Sequence, residues 1–174
     1  DFETLRKANL TRFQHNLFNI LEDWRVEERL SARYPGCREN FRHLIQKLFG
    51  TQKAGDTNPA FSILNTILLT VRSWSVDAII PRRESVAKTM ERHYPGLRKV
   101  LDGILDRMRD SCKDTGDCIR YALELEQATL AWSLEQKSIT EPKKKDSGAA
   151  QNEPVASSNA SLDSLEKAVG VVFR

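Results

Sequence analysis

The chain has 174 residues, of which 40% are hydrophobic and 29% charged, and its formal net charge is +3. This is an ordinary composition for a soluble protein, and no secretory signal is visible. A membrane-spanning helix needs about 20 consecutive apolar residues, and the chain has no such run. The chain begins at Asp1 rather than Met and stops within an apolar pattern, so we expect it to be a fragment of a longer polypeptide.

Apolar residues at helical spacing predict two helices in the first 50 residues. The first runs from Phe2 to about Ala32 as one long helix, straight or kinked. Tyr34-Pro35-Gly36 ends it, because a proline disfavours helical backbone at the residue before it. The second helix covers residues 37–49 and has four apolar residues on one face: Phe41, Leu44, Ile45 and Leu48.

The most apolar stretch runs from Asn58 to Ile80, and we expect the rest of the chain to be organised around it. Asn58 is suited to cap a helix, and Pro59 to occupy its first position. The apolar residues of this stretch point in almost every direction around a helix, so other elements must cover it. We therefore predict a buried central helix at about 58–80, which Pro81 closes.

Three further helices are predicted after Pro81. A short one covers residues 82–93 and is interrupted by Tyr94-Pro95-Gly96, and an amphipathic one follows from Leu97 to about Met108. After a turn at 110–117, the last helix of the domain runs from Cys118 to about Gln136. It carries two apolar stripes, one of which contains Ile119, Leu123, Leu130 and Leu134. Two stripes indicate a helix that is sandwiched or partly available to a partner.

The end of the chain changes in character. Residues 138–160 are rich in Lys, Ser, Ala, Asn, Pro and Gly, which predicts a disordered linker. Residues 161–174 recover helical spacing and predict a short amphipathic helix. It either docks on the bundle and marks a recognition groove, or is the truncated start of a following region. The predicted fold is thus all-α, with a compact helical bundle at 1–137, a linker at 138–160 and a short helix at 161–174.

A shift of 60 residues places Tyr34-Pro35-Gly36 on Tyr94-Pro95-Gly96 and Arg38 on Arg98, and it also aligns the flanking apolar positions. This register predicts a duplicated helix-turn-helix unit, in which each tyrosine plugs the junction between two helices. Chance recurrence of a good corner sequence is the alternative. Two copies favour a closed bundle over an open repeat array.

Charge is unevenly placed along the chain. Residues 25–53 and 72–99 each hold seven basic and three acidic residues (+4 each), whereas 102–137 holds five basic and eight acidic (−3). Three interpretations are open: a solvated helix surface, an Arg-rich patch for phosphate backbones, or a polar rim around an apolar protein-binding groove. The phosphate interpretation requires four arginines to converge in space: Arg33, Arg38, Arg92 and Arg98.

Local signatures of catalysis or metal binding are absent from the sequence. No phosphate-binding loop, His-Glu helix pair, nucleophile elbow or calcium loop occurs. Asp102, Asp106 and Asp110 share a helix face, but neighbouring arginines favour a solvated surface. Cys37, Cys112 and Cys118 lack metal-ligand spacing, and we expect free thiols, although Cys112 and Cys118 flank a turn and could be bridged in an oxidising compartment. We therefore predict no enzyme activity, no cofactor and no metal.

These features together predict a non-enzymatic α-helical interaction domain, an adaptor or scaffold, of a larger intracellular protein in the nucleus or the cytoplasm. Its partner is a helical or peptide segment of a protein, bound in an apolar groove with a basic rim. A nucleic-acid-binding domain that uses the Arg-rich corners is the alternative, and the oligomeric state stays open. The candidate partner-binding residues are Arg33, Arg38, Arg92, Arg98, Leu123, Leu130, Leu134, Leu162, Leu165, Val169 and Phe173.

Overall fold

A computed structural model describes residues 2–50 and 58–140, together with residues 164, 165, 167 and 169. In this part of the chain, all regular structure is helical and there is no strand, which confirms the all-α prediction. The elements in chain order are α1 (Phe2–Ala8), α2 (Arg12–Arg33), α3 (Pro35–Phe49), α4 (Pro59–Ser73), a 3-10 turn (Asp77–Ile79), α5 (Ile80–His93), α6 (Leu97–Ser111) and α7 (Thr115–Thr140).

The long first helix of the prediction is wrong, because the chain breaks between α1 and α2. Asn9 adopts a positive φ of 44°, which asparagine tolerates better than most residues. Thr11 then caps α2: its hydroxyl accepts from the Gln14 N–H at 3.2 Å, and the Gln14 side chain accepts from the Thr11 N–H at 2.8 Å. This capping box fixes a new helix start at a point where the apolar spacing continues without a break.

The central helix predicted at 58–80 begins at the expected residue but ends earlier than predicted. Asn58 caps α4, and its side-chain oxygen accepts from the Ala60 N–H at 3.0 Å. The helix then stops at Ser73, and a turn and the 3-10 segment lead into α5. Pro81 lies in the first turn of α5, so it begins a helix rather than closing one.

Two apolar clusters form the interior, and α4 contributes to both. The main core joins α2, α4, α6 and α7, and it includes Leu17, Leu21, Ile63, Ile67, Leu101, Leu105 and Leu125. The second core contains Ile45, Leu69, Val76, Ile79 and Val86. This placement confirms α4 as a central element of the bundle. It is not covered on all sides, however, because Phe61 is 48% exposed.

The two Tyr-Pro-Gly corners have the same backbone at the tyrosine but different surroundings. Tyr34 and Tyr94 have φ near −130°, and each donates its N–H to the carbonyl four residues earlier at 2.7 Å. Tyr94 is 5% exposed and packs edge-on against Trp132, with 6.1 Å between ring centroids. Tyr34 is 52% exposed, so the expectation that it plugs its corner is wrong. The duplication itself stays a prediction.

The predicted boundary at residue 137 falls inside α7, which continues to Thr140. Residues 141–160, most of the predicted linker, lie outside the described residues. Of the predicted helix at 161–174, the described residues 164, 165, 167 and 169 have helical backbone. Among the helices that the structure describes, none combines the length and the apolar character needed to cross a membrane.

Candidate partner-binding site

Residues 164, 165, 167 and 169, called the C-terminal segment below, place an apolar side in the main core. Leu165 is 0% exposed and Val169 is 1% exposed, and both belong to the main core. Ser164 and Lys167 are exposed. The buried residues are four positions apart, which puts them on one side of a helix. The C-terminal segment is therefore an amphipathic helical turn with its apolar side inserted into the bundle.

Two of the predicted partner-binding leucines on α7 reach this same core. Leu123 and Leu130 are half-buried and pack against the main core. Leu134, the third, is 61% exposed and projects into solvent near the end of α7, as does Ile139 at 76%. The remaining two predicted anchors, Leu162 and Phe173, lie outside the described residues. The structure thus places Leu123, Leu130, Leu165 and Val169 in one apolar interior and leaves Leu134 apart from them.

The helix α7 also carries buried polar residues. Glu126 is 7% exposed and accepts a hydrogen bond of 2.5 Å from the Gln14 side chain of α2. Thr129 is 1% exposed and donates to the Leu125 carbonyl at 2.8 Å. Trp132 donates its ring N–H to the Pro95 carbonyl at 3.2 Å. These contacts hold α7 between its neighbours, which agrees with the interpretation of its two stripes as a sandwiched helix.

The four candidate arginines do different things. Arg98 forms ion pairs of 3.2 Å with both Glu84 and Asp102. Glu84 also pairs with Arg83 at 2.6 Å, and hydrogen bonds from Arg83 and Arg98 lower the pKa of Glu84. The charge of Arg98 is therefore compensated within the fold, which weakens the prediction of a phosphate-binding patch.

Arg33, Arg38 and Arg92 are exposed. The Arg33 guanidinium lies 5.7 Å from the ring centre of Tyr34, a cation–π distance. Arg38 lines a small cavity between α2, α3 and the turn after α4, and Glu27 and Glu28 line it too. The arginines of the two Tyr-Pro-Gly corners thus have different neighbours. Convergence of the four arginines in space stays a prediction.

Two adjoining cavities lie between α3 and the turn after α4. Their volumes are about 310 Å³ and 140 Å³, and both are lined by Arg42 and Ser75. Arg42 donates to the Ser75 carbonyl at 3.1 Å, and the Ser75 hydroxyl donates to Glu28 at 2.6 Å. The larger cavity is also lined by Glu39, His43, Gln46 and Asp77. The polar lining of the larger cavity does not match the apolar groove that the sequence predicted, whereas the smaller cavity is also lined by Phe41, Ile45 and Trp74.

Two buried arginines lie on α2 and α4, where the sequence pattern predicts no buried charge. Arg72 is 6% exposed and pairs with Glu27, while Asp23 lies 3.7 Å away. Burial raises the pKa of Glu27, although Arg72 acts in the opposite sense. Arg25 is 9% exposed and pairs with Glu22 at 2.5 Å, and this hydrogen bond lowers the pKa of Glu22 to about 2. Apolar spacing carries no signal for such pairs, of which Arg72–Glu27 joins α4 to α2 and Arg25–Glu22 lies within α2.

The structure brings together Cys112 and Cys118, whose sulfur atoms are 3.3 Å apart. Both are free thiols, as expected from the sequence. Within the described ranges, no group of three or more His, Cys, Asp and Glu side chains is arranged to hold a metal ion. Asp102, from the predicted acidic face, pairs with Arg98 instead.

Comparison of the chain with protein-family models, with curated proteins and with solved structures found no match.

Proposed function

We propose that this chain is a non-enzymatic α-helical interaction domain that binds a helical segment of a protein partner in an apolar groove. The groove is the part of the main core that receives Leu165 and Val169, and the C-terminal segment is its intramolecular occupant. The observation that carries the proposal is the full burial of these two residues, 0% and 1% exposed, beside exposed Ser164 and Lys167. An amphipathic helix that lays its apolar side into a groove is a common mode of peptide recognition.

The position of the C-terminal segment in the chain supports this role. The sequence predicts a disordered linker of 23 residues at 138–160, and a flexible linker of that length would span about 25–30 Å, close to the diameter of a small domain. A segment tethered in this way competes at an effective concentration of about millimolar. Isolated helices shorter than about 12 residues are marginal in water, so the helical form of the segment depends on the surface that it covers.

A groove that holds its own segment has a regulatory consequence. A partner helix binds only when the C-terminal segment has left, so the apparent affinity falls by the fraction of molecules in which the groove is open. The domain is then an adaptor or scaffold whose partner site is partly closed in the resting state. We expect it to act in an intracellular compartment, the nucleus or the cytoplasm. The basic rim of the groove stays a prediction.

A labelled synthetic peptide of residues 161–174 tests the proposal with the full chain. The double variant Leu165→Asp/Val169→Asp should release its own segment and expose the groove, so the peptide should bind this variant more tightly than the wild type. Lys167→Ala, an exposed change in the same segment, is the matched control and should behave as the wild type. Failure of the peptide to bind the double variant would refute the proposal.

The same assay separates the nucleic-acid alternative. Binding of generic DNA or RNA through phosphate contacts falls steeply between low and physiological salt, whereas binding in an apolar groove is nearly indifferent to salt. We expect peptide binding to persist as salt rises. Tight, salt-sensitive DNA or RNA binding that is lost on substitution of exposed Arg33, Arg38 and Arg92 by alanine would favour the alternative instead.

A further inference from the structure

Cys112 and Cys118 lie at the junction of α6 and α7 with their sulfur atoms 3.3 Å apart. Cys112 is the first residue after α6, and Cys118 lies in the first turn of α7. A disulfide has a sulfur–sulfur distance of about 2.05 Å, so a movement of about 1.2 Å would bring the two atoms to bonding distance.

The turn between the two cysteines is fixed by hydrogen bonds at both ends. The Cys112 N–H donates to the Met108 carbonyl at 2.9 Å, and the Cys118 N–H donates to the Asp114 carbonyl at 3.2 Å. The Lys113 N–H donates to the Asp117 carboxylate at 2.9 Å, and the Asp117 N–H donates to the Asp114 side chain at 2.9 Å. The backbone therefore holds the two thiols together in the reduced protein.

Contacts with α2 hold this turn to the rest of the bundle. The Thr115 hydroxyl donates to the Glu22 carboxylate at 3.0 Å, and Arg29 donates to the Lys113 carbonyl. Cys118 belongs to the main core and is 0% exposed, while Cys112 is partly buried against the same core. The pair thus has one member that small solutes can reach and one member that only its neighbour can reach.

We propose that Cys112 and Cys118 form a peroxide-sensitive dithiol that closes to an intramolecular disulfide in the folded protein. In the first step the Cys112 sulfur attacks one oxygen of hydrogen peroxide, the O–O bond breaks, and Cys112 sulfenic acid and water form. In the second step the Cys118 sulfur attacks the Cys112 sulfur, the S–O bond breaks, and the leaving hydroxide takes the Cys118 proton to give a second water. Two thiols are oxidised by two electrons and one peroxide is reduced.

The environment assigns the attacking role to Cys112. The hydrogen bond with the Cys118 thiol lowers the pKa of Cys112, and the nearby Arg25 charge acts in the same direction. The same contact raises the pKa of Cys118, and burial and the Glu22 carboxylate add to this rise. Thiolates rather than thiols are the nucleophiles, so the more exposed sulfur is also the more reactive one.

Tryptic mapping after oxidation tests the proposal directly, because trypsin separates all three cysteines. Cleavage after Arg109, Lys113 and Arg120 puts Cys112 on peptide 110–113 and Cys118 on peptide 114–120, while Cys37 lies on peptide 34–38. The full chain is treated with a stoichiometric amount of hydrogen peroxide, the remaining thiols are alkylated, and the peptides are identified by mass spectrometry. We expect peptides 110–113 and 114–120 to be joined by a disulfide, and Cys37 to be alkylated.

Matched variants and a stability measurement complete the test. The Cys37→Ser variant should give the same joined peptides. In the Cys118→Ser variant, Cys112 should be oxidised but no disulfide should form. The disulfide closes a ring of seven residues, so oxidation should raise the Tm of the wild type by about 5 °C. Oxidation should leave the Tm of the Cys112→Ser variant unchanged. Separate alkylated peptides, Cys112 sulfinic acid beside a free Cys118, or a lower Tm after oxidation would each overturn the proposal.

Discussion

The substitution Leu165→Asp tests whether the C-terminal segment is a detachable occupant or an integral part of the core. Leu165 is 0% exposed, and an unpaired charge at an integral core position costs about 4 kcal/mol or more. If the segment can leave, the charge goes into water with it. The loss is then limited to the net free energy of docking.

The net free energy of docking can be estimated from the two buried side chains of the C-terminal segment. Full burial of a leucine or valine stabilises by about 1.5–3 kcal/mol, so Leu165 and Val169 together contribute about 3–6 kcal/mol. The conformational entropy of ordering the backbone of this short segment offsets part of that gain. We therefore expect a net docking free energy of about 1–2 kcal/mol, a small fraction of a typical domain stability.

The assay is urea unfolding of the full chain, followed by the fluorescence of the three tryptophans, Trp24, Trp74 and Trp132. Leu165→Asp, Val169→Asp and the double variant should each lower the free energy of unfolding by the same 1–2 kcal/mol or so, because any one of them releases the whole segment. Lys167→Ala, at an exposed position, should leave it unchanged. Additive losses, or a loss above about 4 kcal/mol for Leu165→Asp alone, would refute the detachable segment.

Two further predictions concern the bundle. Tyr94→Ala should lower the free energy of unfolding by about 3 kcal/mol, whereas exposed Tyr34→Ala should cost less than about 1 kcal/mol; equal losses in urea unfolding would contradict the assignment of Tyr94 alone as a core residue. Hydrogen bonds from Arg25, above all, and from Cys118 and Thr115 lower the pKa of Glu22 from 4.5 to about 2, so its carboxylate stabilises the fold above pH 4.5 and loses this effect as the pH falls to about 2. Glu22→Gln should therefore cost about 1–2 kcal/mol at neutral pH, after allowance for solvent screening, and nothing near pH 2. A pH-independent difference between the two thermal unfolding curves would count against this ion pair.

Apolar spacing was sufficient for the fold class and for most helices, and it failed where a helix ends without a glycine or proline. The sequence from Arg72 to Ile80 keeps its apolar pattern through the turn after Ser73. Val76 has extended backbone there, and its side chain fills the second core. Pro81 is compatible both with the end of one helix and with the first turn of the next, and tertiary packing decides between them.

For the candidate site, the sequence was enough to predict that Leu165 and Val169 share a helix face, but not the burial or the ion pairs of the other candidate residues. Four-residue spacing is enough to pair Leu165 with Val169, since it needs only local helix geometry. The spacing of Leu123, Leu130 and Leu134 is equally regular, yet Leu134 is 61% exposed while Trp132 and Ser133 beside it are buried. Arg98 and Arg38 occupy equivalent positions in the sequence register, but only Arg98 meets Glu84, which is a property of the packing of α5 and α6.

Backbone ¹⁵N relaxation of the full chain, measured before and after addition of excess unlabelled peptide 161–174, tests the central claim most directly. We predict that the amides of residues 164–169 tumble with the bundle in the free protein. We further predict that the peptide displaces them, so that they become as mobile as an unfolded chain while the resonances of α2 and α7 away from the groove stay in place. Residues 164–169 that are already mobile without peptide, or that stay ordered at saturating peptide, would contradict the proposal of an exchangeable helix-binding groove.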